Sequence, residues 1–421
     1  MQIYLVGGAV RDRCLGLPVR EKDWVVTAAT PEEMLRLGYR QVGRDFPVFI
    51  HPETGEEYAL ARTEKKTAPG YKGFAVHASP DVTLVQDLQR RDLTINAMAV
   101  DSEGELIDPC GGREDLEKKK LRHVSSAFKE DPVRLLRVAR FAARFADSGF
   151  TVAEETMELM RGMVADGEAD SLVAERIWQE TQTALQEPRP QVFFQVLRDC
   201  GALVVLFPEL EALFGVPQNP KWHPEIDCGV HMMMALQLAA RLSDDPVVRF
   251  AVLVHDLGKG TTPKDELPRH IGHEKRSVEL ILEMSARLRI PNAYQGLARL
   301  VAQWHGHCHR AMELRPATLL KLIEATDAWR RPQRLEDFLT ACEADYRGRK
   351  GYTERDYPQA DRVRNMAQLS GGIAAESLDL DGLKGEEIGA RLSAARCRAI
   401  ADALKKQAGG GPGNANNNRG H

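Results

Sequence analysis

Glu21 and Asp23 stand two residues apart, immediately before the apolar run Trp24-Val25-Val26. In a strand, positions i and i+2 face the same way, so the two carboxylates can hold one or two divalent ions between them. Mg²⁺ suits such a site, because it prefers a few carboxylates plus substrate phosphates to a closed protein cage. Two ions would activate an attacking hydroxyl and stabilise a leaving pyrophosphate. Glu57, at the start of Tyr58-Ala59-Leu60-Ala61, is a candidate third carboxylate. A solvated charge pair at a strand entry would look the same, so the assignment rests on what surrounds it.

Val6-Gly7-Gly8-Ala9-Val10-Arg11-Asp12 follows a short apolar run and opens a helix. Glycines at that junction let backbone N–H groups approach a triphosphate, and the helix N-terminus favours negative charge. Arg11, one turn in, can reach a phosphate. Arg90-Arg91-Asp92-Leu93-Thr94-Ile95-Asn96 adds a second cationic group. There Arg91 suits phosphate, while Asp92 and Asn96 suit a ribose or each other. In Glu130-Asp131-Pro132-Val133-Arg134, Asp131 reads as an N-cap and Pro132 as the first helical residue. At 100° per residue, Leu135, Leu136, Val138, Ala139, Ala142, Ala143 and Phe145 share one face; Glu130, Arg134, Arg137, Arg140 and Arg144 share the other. No acidic residue follows Asp131 within the stripe, so the arginines lack i,i+4 partners and call for anions.

Histidine chemistry is confined to the second half. Eight of the twelve histidines fall between His223 and His309. His231 lies in an apolar helical stretch, and His255-Asp256 closes the run Phe250–Val254. His273, His305 and Asp327 lie further on. An adjacent His-Asp at the end of a buried helix, with outlying His and Asp on other helices, is what a helical metal centre requires.

The elements that position these groups divide the chain. Up to about residue 110, brief apolar runs (Ile3–Val6, Trp24–Val26, Val48–Ile50, Tyr58–Ala61) alternate with helical stretches; from about Ser126 the pattern is almost wholly helical. The fold class expected is α+β: a small mixed α/β head followed by a long all-α body. No internal repeat is present, and the Gly/Asn-rich stretch after Gln407 reads as a disordered tail. A chain of 421 residues requires several domains. A net charge of −4 argues against a uniformly basic coat while leaving room for a basic groove. Seven cysteines without a C-x-x-C pair read as reduced thiols. With no basic-then-apolar leader and no membrane-length apolar run, a soluble cytoplasmic protein is expected.

The turn at Gly7-Gly8 through Arg11-Asp12, the acidic pair before Trp24, Arg-Arg-Asp-x-x-x-Asn and Glu-Asp-x-x-Arg occur in the order and spacing of class II tRNA nucleotidyltransferases, within the polymerase-β-like superfamily. The resemblance extends to about residue 405. It implies addition and repair of the 3′-terminal CCA of tRNA from CTP and ATP. Gly8, Arg11, Arg91, Asp92, Asn96, Asp131, Arg134, Arg137 and Arg140 would bind nucleotide, and Glu21 and Asp23 would hold Mg²⁺. Asp131 and Arg134 would meet the Watson–Crick edge of the incoming base as a protein template. The family's first metal position is typically Asp, where this chain has Glu21. The histidine-rich half resembles HD-domain phosphohydrolases. That implies a site at His231, His255, Asp256 and Asp327, with His273 and His305 as candidates for a second ion. A transition metal such as Ni²⁺ there would serve phosphatase, 2′-nucleotidase and 2′,3′-cyclic phosphodiesterase activity. The domains expected are a head at 1–140, a nucleotide- and tRNA-binding neck at 141–225, an HD domain at 226–330, a tRNA-binding helical segment at 331–407 and a tail at 408–421. The partners implied are the tRNA 3′ end and acceptor region, for a monomer or weak homo-oligomer without membrane contact. The alternatives are an ATP-only poly(A) polymerase of the same family and a catalytically inactive RNA-binding protein.

Overall fold

Runs too short for helices, several of them β-branched or aromatic, pair edge to edge at the start of the chain. They are β1 (Gln2–Val6), β2 (Asp23–Thr27), β3 (Arg40–Val42), β4 (Val48–Ile50), β5 (Glu57–Leu60), β6 (Arg62–Lys66), β7 (Phe74–Ala78), β8 (Ala99–Val100) and β9 (Leu106–Ile107) in a computed structural model. The structure describes residues 1–19, 21–42, 48–66, 74–375, 378–380 and 383–409. One mixed sheet has the order β3-β4-β5-β2-β1-β8-β9, and β6 pairs with β7 apart from it. Both faces of the sheet are buried. Along β2 the alternation sends Val25 to a cluster with Val6, Leu88 and Ala99, and Val26 to another with Met34, Phe49 and Leu60.

Contacts divide the chain into two units, Met1–Glu211 and Ala212–His421. Helices of the first are α1 (Gly8–Cys14), α2 (Pro31–Arg36), α3 (Leu84–Gln89), α4 (Gly112–Glu117), α5 (Val133–Phe145), α6 (Glu154–Ala165), α7 (Ala174–Gln186), α8 (Pro190–Asp199), α9 (Ala202–Leu206) and α10 (Pro208–Glu211). The second unit holds α11 (Cys228–Leu242), α12 (Pro246–Val254), α13 (His273–Leu288), α14 (Asn292–His309), α15 (Pro316–Thr326), α16 (Pro332–Arg347), α17 (Pro358–Gly371) and α18 (Gly385–Gly409). A mixed-sheet head followed by a helical body is the α+β class expected. The tail expected at 408–421 falls outside the described residues, except that Ala408 and Gly409 end α18.

The helix that carries the arginine stripe begins one residue later than its sequence suggests. Pro132 precedes α5, and the Asp131 carboxylate accepts from the Val133 N–H at 3.1 Å, so Asp131 still caps the first turn.

Candidate active sites

The registers of three strands assemble the first site. β1 runs antiparallel to β2 with Val6 opposite Asp23, and β5 runs parallel to β2 with Glu57 level with Asp23. The Gly7-Gly8 turn therefore leaves β1 beside the carboxylates. Gly7 has φ 69°, a conformation that favours glycine, and the Arg91 guanidinium lies 2.9 Å from where a Cβ would stand. Glu21 lies ahead of β2 rather than within it, so strand alternation does not aim it as expected. Burial and the Glu21 charge push the Asp23 carboxyl above the usual range, against the pull of Arg91. Among the described residues of this unit, no three carboxylate oxygens lie within 4.8 Å of one another. The donors are nonetheless hard oxygens at one cleft mouth, with a crowding of charge that a cation relieves, and this fits Mg²⁺.

The arginine stripe is partnered from distant sequence, which corrects the expectation of an unpaired row. Arg137 donates to Asp92 at 2.7 Å, Arg140 to Glu180 at 2.7 Å and Arg144 to Asp12 at 3.1 Å. Arg134 is not on an exposed face at all: it is buried, donating to the carbonyls of Ala127 at 2.9 Å and Arg90 at 2.7 Å. Asp131 also pairs with Arg176 at 3.3 Å. Asp92 and Asn96 bond to each other, with Asn96 Nδ2 donating to Asp92 Oδ1 at 3.0 Å. Asn96 Oδ1 in turn accepts from Arg11 at 2.6 Å. Burial opposes charge on Asp92, but Arg137 and the bonds from Asn96 and the Leu93 N–H outweigh it and hold the carboxyl far below the usual range. Arg91 is anchored by buried Asp87 at 3.2 Å.

Phe141 escaped the sequence reading. It is 4% exposed, and the guanidinium groups of Arg11, Arg137 and Arg140 lie 5.2, 5.7 and 4.6 Å from its ring centroid. A ring four residues after Arg137, at the border of the apolar face, was the available signal. Gly8, Arg11, Glu21, Asp23, Glu57, Arg91, Asp92, Asn96, Asp131, Arg134, Arg137 and Arg140 all line one open cleft. Every head residue that the sequence assigns to nucleotide or Mg²⁺ comes together there.

The second site is a buried knot of imidazoles and carboxylates. His255 follows α12, and its Nδ1 bonds the Val252 carbonyl at 2.7 Å; His305 Nδ1 lies 3.0 Å from the Val301 carbonyl and His273 Nδ1 2.9 Å from that of His270. A backbone acceptor fixes Nδ1–H as the donor and leaves each Nε2 facing inward, the arrangement metal-ligating histidines adopt. His255 Nε2 lies 3.2 Å from Asp256, and His273 and His305 Nε2 lie 3.3 and 3.6 Å from the same carboxylate. His255 Nε2, His273 Nε2 and Asp256 Oδ1 are buried without a hydrogen-bond partner. Orphaned, convergent lone pairs of this kind fit a divalent ion. Two overlapping ligand groups, His231/His255/Asp256 and Asp256/His273/His305, share Asp256, as a two-metal centre would require.

Asp327 does not join them. It ends α15 in the left-handed conformation at φ 56° and pairs with Arg330 at 2.8 Å. The carboxylate in its place is Asp345 on α16, 2.8 Å from His231 Nε2, 3.6 Å from His255 Nε2 and 2.6 Å from His309 Nε2. The signal was an Asp in register with buried Phe338, Ala341 and Cys342 on one helical face. Burial disfavours a charged His255, but Asp256 and Asp345 outweigh it and raise the imidazole to about 10. Burial takes His305 the other way, down to about 3. Lys259 donates to Asp256 and to Gln218, each at 2.7 Å.

Three family descriptions match in turn: Poly A polymerase head domain over residues 3–122, Probable RNA and SrmB-binding site of polymerase A over 149–214, and HD domain over 229–337. Asp345 lies beyond the last. A Multifunctional CCA protein of Thioalkalivibrio sulfidiphilus is 66% identical over 97% of this chain and 100% of its own length. The chain belongs to the multifunctional CCA protein family. A second member, from Nitrosococcus oceani, is 57% identical over 97% of this chain and all of its own. Among solved structures, the Bacillus stearothermophilus CCA-adding enzyme in complex with CTP is similar in fold. It has a TM-score of 0.64 at 21% identity, with 96% of this chain and 93% of that one covered. Family membership makes the chain a CCA-adding nucleotidyltransferase joined to an HD domain, a metal-dependent phosphohydrolase family. No helix among the described residues is long and apolar enough to cross a membrane.

Proposed function

We propose that the first cleft completes the tRNA 3′ end with C, C and A from CTP and ATP, and that the second site hydrolyses phosphate esters. The observation that carries the first half is the convergence of twelve sequence-selected residues on one cleft. Glu21 and Asp23, with Glu57 alongside, would hold Mg²⁺, which when bound supplies activation of the tRNA 3′ hydroxyl and neutralisation of the leaving pyrophosphate. Gly7 and Gly8 bring the backbone N–H groups of α1 to the triphosphate. Arg11, Arg91, Arg137 and Arg140 surround it, and Asp92 and Asn96 act by holding Arg11 and Arg137 in place. Phe141 is the floor across which three guanidinium groups lie.

Asp131 and Arg134, at the start of α5, would choose the base. A carboxylate accepts from the exocyclic amine that C and A share, and a guanidinium donates to the neighbouring ring acceptor. Both must exchange present partners to do so, Arg176 for Asp131 and two carbonyls for Arg134. RNA would lie on the helical body by shape and phosphate contacts, since duplex RNA offers little readable sequence. A cytoplasmic monomer or weak homo-oligomer fits this reading.

In the second unit His231, His255, Asp256 and Asp345, with His273 and His305 for a second ion, would hold a transition metal such as Ni²⁺. That ion, when bound, supplies Lewis acidity toward phosphomonoesters and 2′,3′-cyclic phosphates and lowers the pKa of water. Incubating tRNA that lacks CCA with labelled CTP and ATP, singly and together, tests the first half. Ordered incorporation of C, C and one A is expected. Unlimited A addition from ATP alone would instead establish a poly(A) polymerase, and no incorporation an inert RNA-binding protein.

A further inference from the structure

Arg349 is a buried cation beside the second site, and among the described residues no carboxylate forms an ion pair with it. It is 8% exposed, and its Nε is buried without a hydrogen-bond partner. Its guanidinium carbon lies 5.2 Å from the centroid of the Tyr346 ring. The other buried cationic side chain there, Lys259, is already committed to Asp256 and Gln218. An arginine so enclosed is normally paired with a carboxylate, because desolvating the charge costs free energy that only a counter-ion offsets.

Its placement is specific. Arg349 follows the metal-site carboxylate Asp345 by four residues, just past the end of α16 at Arg347 and its C-cap Gly348. Gly348 between them has no room for a Cβ, which would meet Ala235 Cα at 2.6 Å, so α11 with His231 closes directly on this end of α16. The next N–H, of Lys350, donates to Glu225 at 3.1 Å, and Glu225 lies 2.9 Å from His231 Nδ1. Tyr346, under the guanidinium, has its ring centroid 6.0 Å from that of His309, which bonds Asp345. Burial first, and the Arg349 charge among the lesser causes, push the His223 and His309 imidazoles down, which places the guanidinium within electrostatic reach of both.

We infer that Arg349 binds the non-bridging oxygens of the phosphate ester that the second site cleaves. The inference rests on the hydrolase reading above. A guanidinium fork matches two phosphate oxygens at once, and a cation where α16 ends against α11 would hold the ester against the metal centre.

The test uses the full chain loaded with Ni²⁺, with metal content measured alongside. Arg349→Met should raise KM for a 2′-nucleoside monophosphate, and Ki for inorganic phosphate, by about ten- to a hundredfold, with bound metal unchanged. Arg349→Lys, which keeps the charge, should fall between, and it decides the matter if the Met variant does not fold. Unchanged KM and Ki in the folded variants overturn the role of Arg349 while the hydrolase reading stands. If the wild-type protein hydrolyses no phosphate ester with any divalent ion, the hydrolase reading fails and calorimetric binding of inorganic phosphate judges Arg349 alone. Binding that Arg349→Met removes upholds the site; binding that it leaves intact, or none in the wild type, overturns it.

Discussion

Replacing Asp345 by Asn should empty the second site and destabilise the unit that contains it, whereas Asp327→Asn should do neither. Asp345 is 2% exposed and accepts from His231 at 2.8 Å and His309 at 2.6 Å, with His255 at 3.6 Å. Removing one member of a buried ion pair costs about 3–5 kcal/mol, because the partner's charge is left uncompensated. Here His255 can release its proton and the amide oxygen still accepts one bond, so the lower end, about 3 kcal/mol, is expected. In a unit of roughly 200 residues each kcal/mol moves Tm by about 2–4 °C, which gives a drop of about 6–12 °C. Even outer partners of a metal centre carry about ten- to a hundredfold in affinity, and a direct ligand should exceed that. Purified variants would be compared by bound-metal analysis and thermal unfolding. Full metal content in Asp345→Asn, together with its loss in Asp327→Asn, would refute the assignment and restore Asp327.

Other outcomes follow from the same geometry. Asp92→Asn removes the charge that holds Arg137 and should raise KM for both CTP and ATP by about tenfold or more, read in steady-state kinetics with saturating tRNA; an unchanged KM would show that Arg137 needs no anchor. Arg134→Ala should lower CTP/ATP selectivity over GTP and UTP by about tenfold and also destabilise the head, since two carbonyls lose their donor. A rate loss at constant selectivity would make Arg134 structural only. Metal affinity of the second site should rise with pH by about tenfold per unit from the usual imidazole range to about 10, because the ion must displace the His255 proton. The sign is opposite for the metal-free protein, whose stabilisation by this raised imidazole is complete below pH ~6.5 and lost as pH rises through about 10. Calorimetry in buffers of different ionisation enthalpy reads the released proton, and a pH-independent affinity would count against His255 as a ligand.

Local patterns carried much of this architecture. The apolar runs at Ile3, Trp24, Val48 and Tyr58 are strands, because each is short, apolar and bounded by Gly, Pro or charge. β8 and β9 are two-residue strands defined only by their partners, and no window of sequence reveals them. Helical periodicity placed Arg137, Arg140 and Arg144 correctly, yet their acceptors Asp92, Glu180 and Asp12 stand 45, 40 and 132 residues away. Ion pairing across such separations is tertiary, so a row that looks unpaired along its helix is paired in space. Arg134 shows the converse: its periodicity says surface, but the carbonyls of Ala127 and Arg90 draw it inside. The histidine cluster was legible because His255-Asp256 ends an apolar helix. Asp345 was missed because a motif-centred reading favoured Asp327 over a carboxylate on the buried face of α16.

Two chemistries in two separate residue sets are the central expectation for this protein, and reciprocal inactivation tests it most directly. Asp23→Ala and the double variant His255→Ala, Asp256→Ala would each be assayed for CTP and ATP incorporation into tRNA lacking CCA, and for metal-dependent hydrolysis of a 2′,3′-cyclic nucleotide. The expected result is loss of incorporation with intact hydrolysis in the first, and loss of hydrolysis with largely intact incorporation in the second. Near-normal incorporation by a folded Asp23→Ala protein, or its loss in a well-folded His255/Asp256 variant, would contradict the account.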